Sequence, residues 1–473
     1  MTHQTNANDT NTRERETDVD EANEREPDED VSKESEIDPP NERTQNTNAS
    51  PEDQPPVTAH PTQTENDGQS PEMTVTPYAV EGAVDYEKLL EQFGADPLTD
   101  EQIHRLPDHP SVRRRIFYAG RDVDRYLAAA EADEDHAIVT GIGPSGPLHL
   151  GHVLPLYLAK RFQEATGATV YLPFSDDEKY LAKDQSFESI GDHTRENLRD
   201  VLAVGFDPDR TRIVIDTADA DVIYPIAVRL AKGLTPATID AVYGEGPNVG
   251  LSFYPAVQAT HLLLPQLVAG RQPTLIPIAI DQDPHVRVCR DLAGKEELPV
   301  EKPGALLGRF LPSLDGPGKM SSSERAGESP GDSAGKSASD SAGGTAPSIE
   351  LGDDREMVAR KIRDYAYTGG AETVEAHRER GGDPAVDVPF QYLRFGFEPD
   401  DETLDRIAAD YRSGDLLSGE LKEIAIERIA EFLDAHQHRR SELGGLEEEL
   451  RPYRLCESER TRALESVGVS RIE

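Results

Sequence analysis

Two histidines stand three residues apart at the end of a glycine-rich stretch, GPSGPLHLGH, residues 143–152. A short β-rich run precedes this stretch and an amphipathic helical pattern follows it. At i and i+3 in a first helical turn, the rings of His149 and His152 would point the same way. The unpaired N–H groups of a helix start attract anions, and Gly151 leaves room for a planar group near the backbone. The pattern suits a triphosphate.

Two other interpretations fit the histidine pair by itself. Both rings could be structural, or they could bind a metal. A metal site needs further ligands, and no cysteine or histidine pair stands at suitable spacing elsewhere in the sequence.

A second stretch, GPGKMSSSE at residues 316–324, places Lys319 on a glycine-rich loop before three serines. A flexible loop that carries a cation and hydroxyls can close over a leaving pyrophosphate and neutralise its charge. The alternative is a solvated lysine beside a low-complexity segment.

Composition limits the class of protein. The chain has 473 residues but only two cysteines, Cys289 and Cys456, which argues against a disulfide framework and a structural zinc site. No apolar run is long enough to cross a membrane, so we expect a cytoplasmic protein. The net charge is −42. An acidic chain could bind basic partners. Acidity spread over the whole sequence instead favours the surface of a halophilic protein, because at molar salt the Debye length is about 3 Å and the repulsion between carboxylates is screened.

Strand patterns alternate with helical ones, which predicts an α/β fold with a parallel sheet. The strands are expected at residues 136–143, 168–180, 210–217 and 273–283, with the reactive loops at their carboxyl ends. The predicted organisation comprises a disordered acidic tail (1–72), an N-terminal helical extension (73–135), a catalytic domain (136–355) with a flexible insert (324–347), a helical domain (356–455) and a C-terminal tail (456–473). Met73 is a candidate translation start.

The two stretches together resemble the HIGH and KMSKS signatures of class I aminoacyl-tRNA synthetases. Between them, AIDQDPHVRVCRDLA (279–293), DDEKY (176–180) and PAVQA (255–259) are similar to tryptophanyl-tRNA synthetases of the archaeal and eukaryotic type. The resemblance runs from about residue 77 to residue 455. It implies a Rossmann-like catalytic domain and a helical anticodon-binding domain, and the acidic composition adds a halophilic archaeal origin.

The resemblance implies that the protein activates L-tryptophan with ATP and transfers it to the 3′-terminal adenosine of tRNA(Trp). Magnesium would arrive with ATP, and no protein metal site is expected. The family is homodimeric.

Site residues follow from the resemblance position by position. The residues implied in catalysis are His149, His152, Lys319, Ser321 and Ser323. Those implied in ATP binding are Thr140, Gly141, Gly143, Pro144, Gly151, Met320 and Ser322. Those implied at the amino acid are Val139, Pro173, Glu178, Lys179, Gln258 and Gln282. Glu178 and Lys179 could instead be an ordinary solvated pair, and the two glutamines could be structural hydrogen-bonders.

Two of these positions depart from the family pattern. The family usually has a tyrosine where this chain has Val139 and a glutamine where it has Pro173, and those two residues recognise the indole N–H. Activation of another amino acid, such as tyrosine, is therefore an alternative, as is a non-aminoacylating tRNA-binding homologue. The AIDQDP stretch favours tryptophan.

Basic residues give little indication of a tRNA surface. Arg287 and Arg290 are expected to form internal ion pairs. The cluster HQHRR (436–440), with Arg451 and Arg454, could contact tRNA or pair with carboxylates on its own helix.

Overall fold

The computed structural model describes residues 94–319 apart from 245, 296 and 297, residues 347–470, and the short stretches 74–75, 80–81, 88 and 90. For residues 317–319 only the backbone is described. The predicted acidic tail, nearly all of the insert, Met320 and Ser321–Ser323 lie outside the described residues.

The strands of the described residues are β1 (Thr74–Val75), β2 (Val80–Glu81), β3 (Asp96–Pro97), β4 (Phe117–Arg121), β5 (Ala137–Val139), β6 (Thr169–Phe174), β7 (Thr211–Ile215), β8 (Thr274–Ala279), β9 (Gly304–Gly308), β10 (Pro312–Ser313) and β11 (Gly316–Lys319). Seven of them form one sheet in the order β3-β4-β9-β8-β5-β6-β7. The five strands from β9 to β7 in this order run parallel, while β3 and β4 add an antiparallel edge. The prediction of a Rossmann-like α/β fold is confirmed.

The helices are α1 (Asp100–Arg105), α2 (Pro110–Arg113), α3 (Val123–Glu131), α4 (Leu150–Thr166), α5 (Asp176–Ala182), α6 (Phe187–Val204), α7 (Ala220–Ala231), α8 (Pro236–Tyr243), α9 (Val249–Ala269), α10 (Asp283–Ala293), α11 (Arg355–Tyr365), α12 (Val374–Arg380), α13 (Val388–Tyr392), α14 (Asp401–Ser413), α15 (Ser418–Ser441), α16 (Leu446–Leu450) and α17 (Glu457–Ser466). Gly167 ends α4 in the left-handed region, at φ 74°.

Two hydrophobic cores cover the two faces of the sheet. In β6, Leu172 belongs to the core that includes α4, α6 and α15, whereas its neighbour Tyr171 belongs to the core that includes α7, α9 and α10. Because successive strand residues point to opposite faces, both faces of the sheet are covered. Burial on both sides explains why these strands read as continuous apolar runs.

Two predicted elements are wrong in detail. The strand expected over residues 168–180 ends at Phe174. Its last part is α5, where Asp176, Asp177 and Glu178 lie at a helix start that favours carboxylates. The segment expected to form a helical extension also supplies β3 and β4, because β4 pairs with β9, about 190 residues further along the chain. Local periodicity carries no signal of that partner.

The segment assigned to a C-terminal tail contains α17, which packs against α7 and α9. Glu459 accepts a 2.8 Å bond from Arg212, and Arg460 pairs with the buried Asp219. Arg454 binds the same carboxylate at 2.7 Å. Within the described ranges, no helix is both long enough and apolar enough to span a membrane.

Candidate active site

The histidine pair lies at the start of α4. His149 is the residue that caps the helix and has extended backbone angles, while His152 lies in the first turn. The two ring centroids are 4.0 Å apart. The prediction that both histidines belong to the helical turn is therefore wrong for His149, but the structure does place the rings side by side.

The two rings bond to backbone N–H groups of the same turn. His149 Nδ1 accepts the N–H of Gly151 at 3.1 Å, and His152 Nδ1 accepts the N–H of His149 at 3.2 Å. A backbone N–H can only donate, so neither Nδ1 carries a proton. Each ring is thus a neutral imidazole whose proton is on Nε2, which makes Nε2 a hydrogen-bond donor.

The loop between β5 and α4 runs along the end of β6. The N–H of Thr140 donates to Tyr171 O at 3.1 Å, and that of Ile142 donates to Pro173 O at 2.9 Å. A Cβ on Gly143 would lie 1.9 Å from Lys179 Cε, so the lysine stem occupies the space that this glycine leaves. The loop glycines thus allow the lysine to lie across the predicted ATP loop.

Glu178 and Lys179 pair with each other on α5. Their charged atoms, Oε2 and Nζ, are 2.6 Å apart, and the Glu178 side chain is 8 % exposed. Neither residue is therefore an ordinary solvated surface charge. A nearly buried carboxylate beside the loop is a suitable partner for an ammonium group.

The two glutamines lie on different elements of the structure. Gln258, on α9, accepts a 3.0 Å bond from the hydroxyl of Tyr254 one turn earlier, and it remains partly exposed. Gln282 follows β8 and donates to Asp281 at 2.9 Å. The carboxyl ends of β5, β6 and β8 therefore bring Gln282 to the same edge as the histidine loop and α5.

The two departing residues are apolar where they lie. Val139 is the last residue of β5 and is 1 % exposed, and Pro173 is buried in β6. Neither can offer a side-chain hydrogen bond to an indole N–H.

The second signature stretch is described only in part. Lys319 is the last residue of β11, paired in register with Pro312 of β10. After the segment outside the described residues, the chain returns to the histidine loop. There Leu150 N–H donates to Ile349 O at 3.0 Å, and Leu351 N–H donates to Leu148 O at 2.8 Å. Residues 148–150 therefore form a strand-like pairing with residues 349–351, which follow the second signature stretch and the insert in the sequence.

A buried polar network that the sequence did not predict lies beneath α5. Asp177 accepts a 2.7 Å bond from Tyr224. The neighbouring Asp216 has its Oδ1 atom 2.6 Å from His261 Nε2. Oxygens of Asp176, Asp177 and Asp216 all lie within 4.8 Å of one another. Three carboxylates this close cannot all remain charged in a buried site without compensation.

Burial sets the charge of this network. It raises the pKa of Asp177 to about 7 and that of Asp216 well above its usual value. Burial also lowers the pKa of His261 to about 4, so the short His261–Asp216 contact is a hydrogen bond of a neutral imidazole rather than an ion pair. The carboxylates are compensated by retained protons.

Sequence reasoning missed Asp216 and His261 because they lie 45 residues apart, Asp216 directly after β7 and His261 on α9. One signal was present. Both are polar residues inside runs that otherwise read as buried, RIVID and ATHLLL, and a polar residue at a core position needs a partner.

Comparison with known proteins identifies the family. Residues 131–329 match the model of class I tRNA synthetases (W and Y). The chain is 58 % identical over 395 residues to tryptophan–tRNA ligase 2 of Halobacterium salinarum, covering 83 % of this chain and 97 % of that protein. The chain belongs to the tryptophanyl-tRNA synthetase family. The synthetase is also 40 % identical to the tryptophan–tRNA ligase of Saccharolobus solfataricus, over 78 % of this chain and 93 % of that protein.

Solved structures agree with this assignment. The synthetase matches the tryptophanyl-tRNA synthetase from Giardia lamblia with a TM-score of 0.68 and 31 % identity, over 79 % of this chain and 96 % of that one. It matches the Plasmodium falciparum enzyme with a TM-score of 0.68 and 32 % identity, over 80 % and 99 %. The prediction of a tryptophan–tRNA ligase that uses ATP, tryptophan and tRNA is confirmed, and neither alternative is favoured.

Proposed function

We propose that the residues assembled at the carboxyl edge of the sheet carry out both steps of tryptophan–tRNA ligation. In the first step, the tryptophan carboxylate attacks the α-phosphorus of magnesium-bound ATP, which forms tryptophanyl-adenylate and releases pyrophosphate. In the second, a hydroxyl of the 3′-terminal adenosine of tRNA(Trp) attacks the adenylate carbonyl and AMP leaves. Neither step needs a protein nucleophile, so positioning and charge stabilisation are the enzyme's task.

The histidine pair is the observation that carries this proposal. Its two Nδ1 atoms accept backbone N–H groups, so the ring proton of each histidine is on Nε2, and in this proposal both Nε2–H groups donate to phosphate oxygens when ATP binds. These donors lie at a helix start, where the dipole favours developing negative charge. The Gly151 N–H that anchors the first ring belongs to the same turn, so the donors are held before ATP arrives.

The ATP loop and the second signature stretch complete the phosphate side. Thr140, Gly141, Gly143 and Pro144 line the adenosine phosphates in this proposal. Lys319, with Ser321 and Ser323, neutralises the leaving pyrophosphate, and Met320 and Ser322 flank the nucleotide. Support comes from the pairing of residues 148–150 with residues 349–351, which brings the chain that follows the insert back beside His149.

The amino acid binds between α5 and α9. Glu178 is a buried carboxylate suited to the substrate ammonium, and its present partner Lys179 can turn toward a phosphate oxygen. Gln258, oriented by the Tyr254 hydroxyl, and Gln282 supply side-chain amides for the polar atoms of the substrate. Val139 and Pro173 form an apolar wall for the side chain.

Several broader expectations belong to the same proposal. We propose a cytoplasmic homodimer that takes ATP as its magnesium complex, and an anticodon-binding role for the helical segment at residues 356–455. Light scattering of the purified protein would test the homodimer.

Amino-acid-dependent ATP–pyrophosphate exchange in multimolar KCl tests the proposed site. His152→Ala and Lys319→Ala should each lower the exchange rate constant by roughly 10²–10³-fold, because each removes charge stabilisation made in the transition state. The tryptophan KM should change little. His104→Ala is the matched control, since His104 is exposed on α1 and bonds to the Asp100 carbonyl. Exchange rates equal to wild type in both variants would refute the assigned roles.

The same assay tests the apolar wall. Comparison of tryptophan, tyrosine and phenylalanine should show strong preference for tryptophan if other groups replace the missing indole readers. A preference of only about 10–200-fold would show that the wall selects by shape alone. Equal exchange with all three amino acids would contradict selection of tryptophan by this site.

A further inference from the structure

Two aromatic rings are stacked on the surface beside the candidate active site. Tyr180 and Phe187 have ring centroids 3.8 Å apart and an interplanar angle of 14°. Tyr180 is 44 % exposed and Phe187 51 % exposed. Large apolar side chains with this much exposure in direct contact with each other form a hydrophobic surface rather than part of the core.

Two helices and one hydrogen bond define where this aromatic pair lies. Tyr180 lies on α5 two residues after Glu178, and Phe187 begins α6. In the connection between them, Gln185 donates a 3.0 Å bond to Ser145 O, in the glycine-rich loop before the histidines. The pair therefore lies between the proposed amino-acid side and the proposed phosphate side.

A third exposed apolar residue extends the surface. Val249, at the start of α9, is 85 % exposed. Its neighbour Asn248 donates a 2.9 Å bond to the carbonyl of Leu181, which follows Tyr180 on α5. The surface thus spans the ends of three helices at the mouth of the site.

The reaction itself requires a nucleotide at this mouth. Transfer of tryptophan brings the 3′-terminal adenosine of tRNA to the adenylate, so unpaired bases of the acceptor end must lie close to α5. Unpaired bases bind preferentially by stacking on exposed aromatic rings. A chain with a net charge of −42 gains little from phosphate contacts, and counterion release contributes least at high salt. Base stacking depends neither on phosphate contacts nor on counterion release.

We propose that Tyr180 and Phe187 form a stacking platform for a base at the 3′ end of tRNA(Trp). The proposal rests on the proposed roles of Glu178 and the glycine-rich loop, because these roles define the mouth. The platform acts in the transfer step and in tRNA affinity, and it makes no contribution to adenylate formation.

The double variant Tyr180→Ala/Phe187→Ala tests the platform with two tRNA(Trp) transcripts, one complete and one lacking its unpaired 3′-terminal nucleotides. With the complete transcript, dissociation constant and aminoacylation KM should both rise about tenfold, as expected for loss of base stacking. With the shortened transcript, wild type and variant should bind equally. Tryptophan-dependent ATP–pyrophosphate exchange, which needs no tRNA, should stay at the wild-type rate.

Two controls separate stacking from other effects. Tyr180→Phe/Phe187→Tyr keeps both rings and should retain wild-type affinity for the complete transcript. Tyr365→Ala removes a tyrosine with the same exposed fraction, 44 %, from α11, and should leave the contribution of the 3′ nucleotides unchanged.

Three results would overturn the platform. The first is an equal loss of affinity for both transcripts, which would place the contact away from the 3′ end. The second is loss of a dimer on light scattering, which would make the surface a subunit interface. The third is a fall in exchange, which would place the rings in the activation site. Failure of the proposed function itself is recognised separately, because exchange would then be absent in wild type as well.

Discussion

Replacement of His261 by leucine tests the buried network in a way that depends on its charge. His261 and Asp216 are both fully buried and joined by a 2.6 Å contact. Leucine fills most of the same volume but leaves the Asp216 oxygen without this partner. A buried neutral group that loses its hydrogen-bond partner costs about 1–3 kcal/mol, and a buried charge that loses its partner costs about 3–5 kcal/mol. Since burial raises the pKa of Asp216, we expect a loss of about 2–3 kcal/mol in the free energy of unfolding at pH 7.5.

The cost of this substitution should shrink as the pH falls. Burial lowers the pKa of His261 to about 4 in the folded protein, whereas an unfolded histidine titrates near 6.5. Between these values the unfolded chain binds a proton that the folded chain does not, so wild type loses stability as the pH falls through this range. Leucine has no such titration. The advantage of wild type over the variant should therefore decrease by about 3 kcal/mol from pH 7 to pH 4.

Denaturant unfolding of both proteins between pH 4.5 and 7.5, at constant molar KCl, measures this difference. The exposed His104 supplies the control substitution His104→Leu, whose effect should be small throughout. If the variant instead became relatively weaker as the pH fell below 7, His261 would be an imidazolium paired with an ionised Asp216. That outcome would refute the assignment of a neutral network.

Three further substitutions test close contacts within the protein. Gly143→Ala places a methyl group 1.9 Å from Lys179 Cε, so the lysine must move. The tryptophan KM in pyrophosphate exchange should rise about tenfold, while the melting temperature stays within about 2 °C of wild type. Gly381→Ala combines φ +71° with a Cβ 1.8 Å from the Arg412 carbonyl oxygen, and unfolding experiments should show a loss of about 3 kcal/mol or more. Lys361→Met removes the ion pair that holds Asp353, 2.6 Å away, and should cost about 2–4 kcal/mol with slower exchange.

A control substitution and two contrary results test these three predictions. Gly205→Ala shares the left-handed backbone, at φ +83°, but meets no atom within 4 Å, so it should cost only about 1 kcal/mol. Equal losses in Gly381→Ala and Gly205→Ala would contradict the steric argument. An unchanged tryptophan KM in Gly143→Ala would mean that Lys179 is not needed near the loop, and full activity of Lys361→Met would separate residues 349–351 from catalysis.

The parallel strands could be predicted from the sequence, and the end of α4 is marked by a glycine, because these are local signals. Strands that pack on both faces read as apolar runs, and Gly167 supplies the left-handed conformation that ends a helix. The edge strands β3 and β4 were not predicted, since their pairing depends on contacts with β9 far along the chain.

The basic residues show the same division between local and distant information. Arg287 and Arg290 form internal ion pairs as predicted, with Asp283 at 3.4 Å and Asp122 at 2.6 Å. The HQHRR cluster was assigned to a tRNA contact or to pairing along its own helix. His438 lies 3.5 Å from Glu442 at the end of its own helix, which agrees with the second interpretation. Arg440 pairs with Asp200 of α6, at 3.0 Å. A charge pattern along one helix cannot indicate a carboxylate on another.

The candidate site also has features that short motifs predict and features that depend on distant contacts. The motif residues could be identified from short signatures, and the structure brings the histidines, Glu178 and Lys179 to one edge. The tautomer of the two imidazoles could not be read from the sequence, because it depends on which backbone N–H each ring meets. The charge of the carboxylate network was equally inaccessible, since it follows from burial.

The return of α17 to the sheet has a consequence for modularity. The helices between residues 356 and 455 are followed by a segment that belongs to the catalytic core, where Ala463 and Leu464 are buried with α7 and α9. A chain cut after residue 455 would uncover that apolar surface and remove Arg460 from the buried Asp219. The helical part is therefore not a terminal appendage that can be deleted or exchanged alone. Domain-swap chimaeras of this enzyme must retain residues 457–466 with the catalytic half.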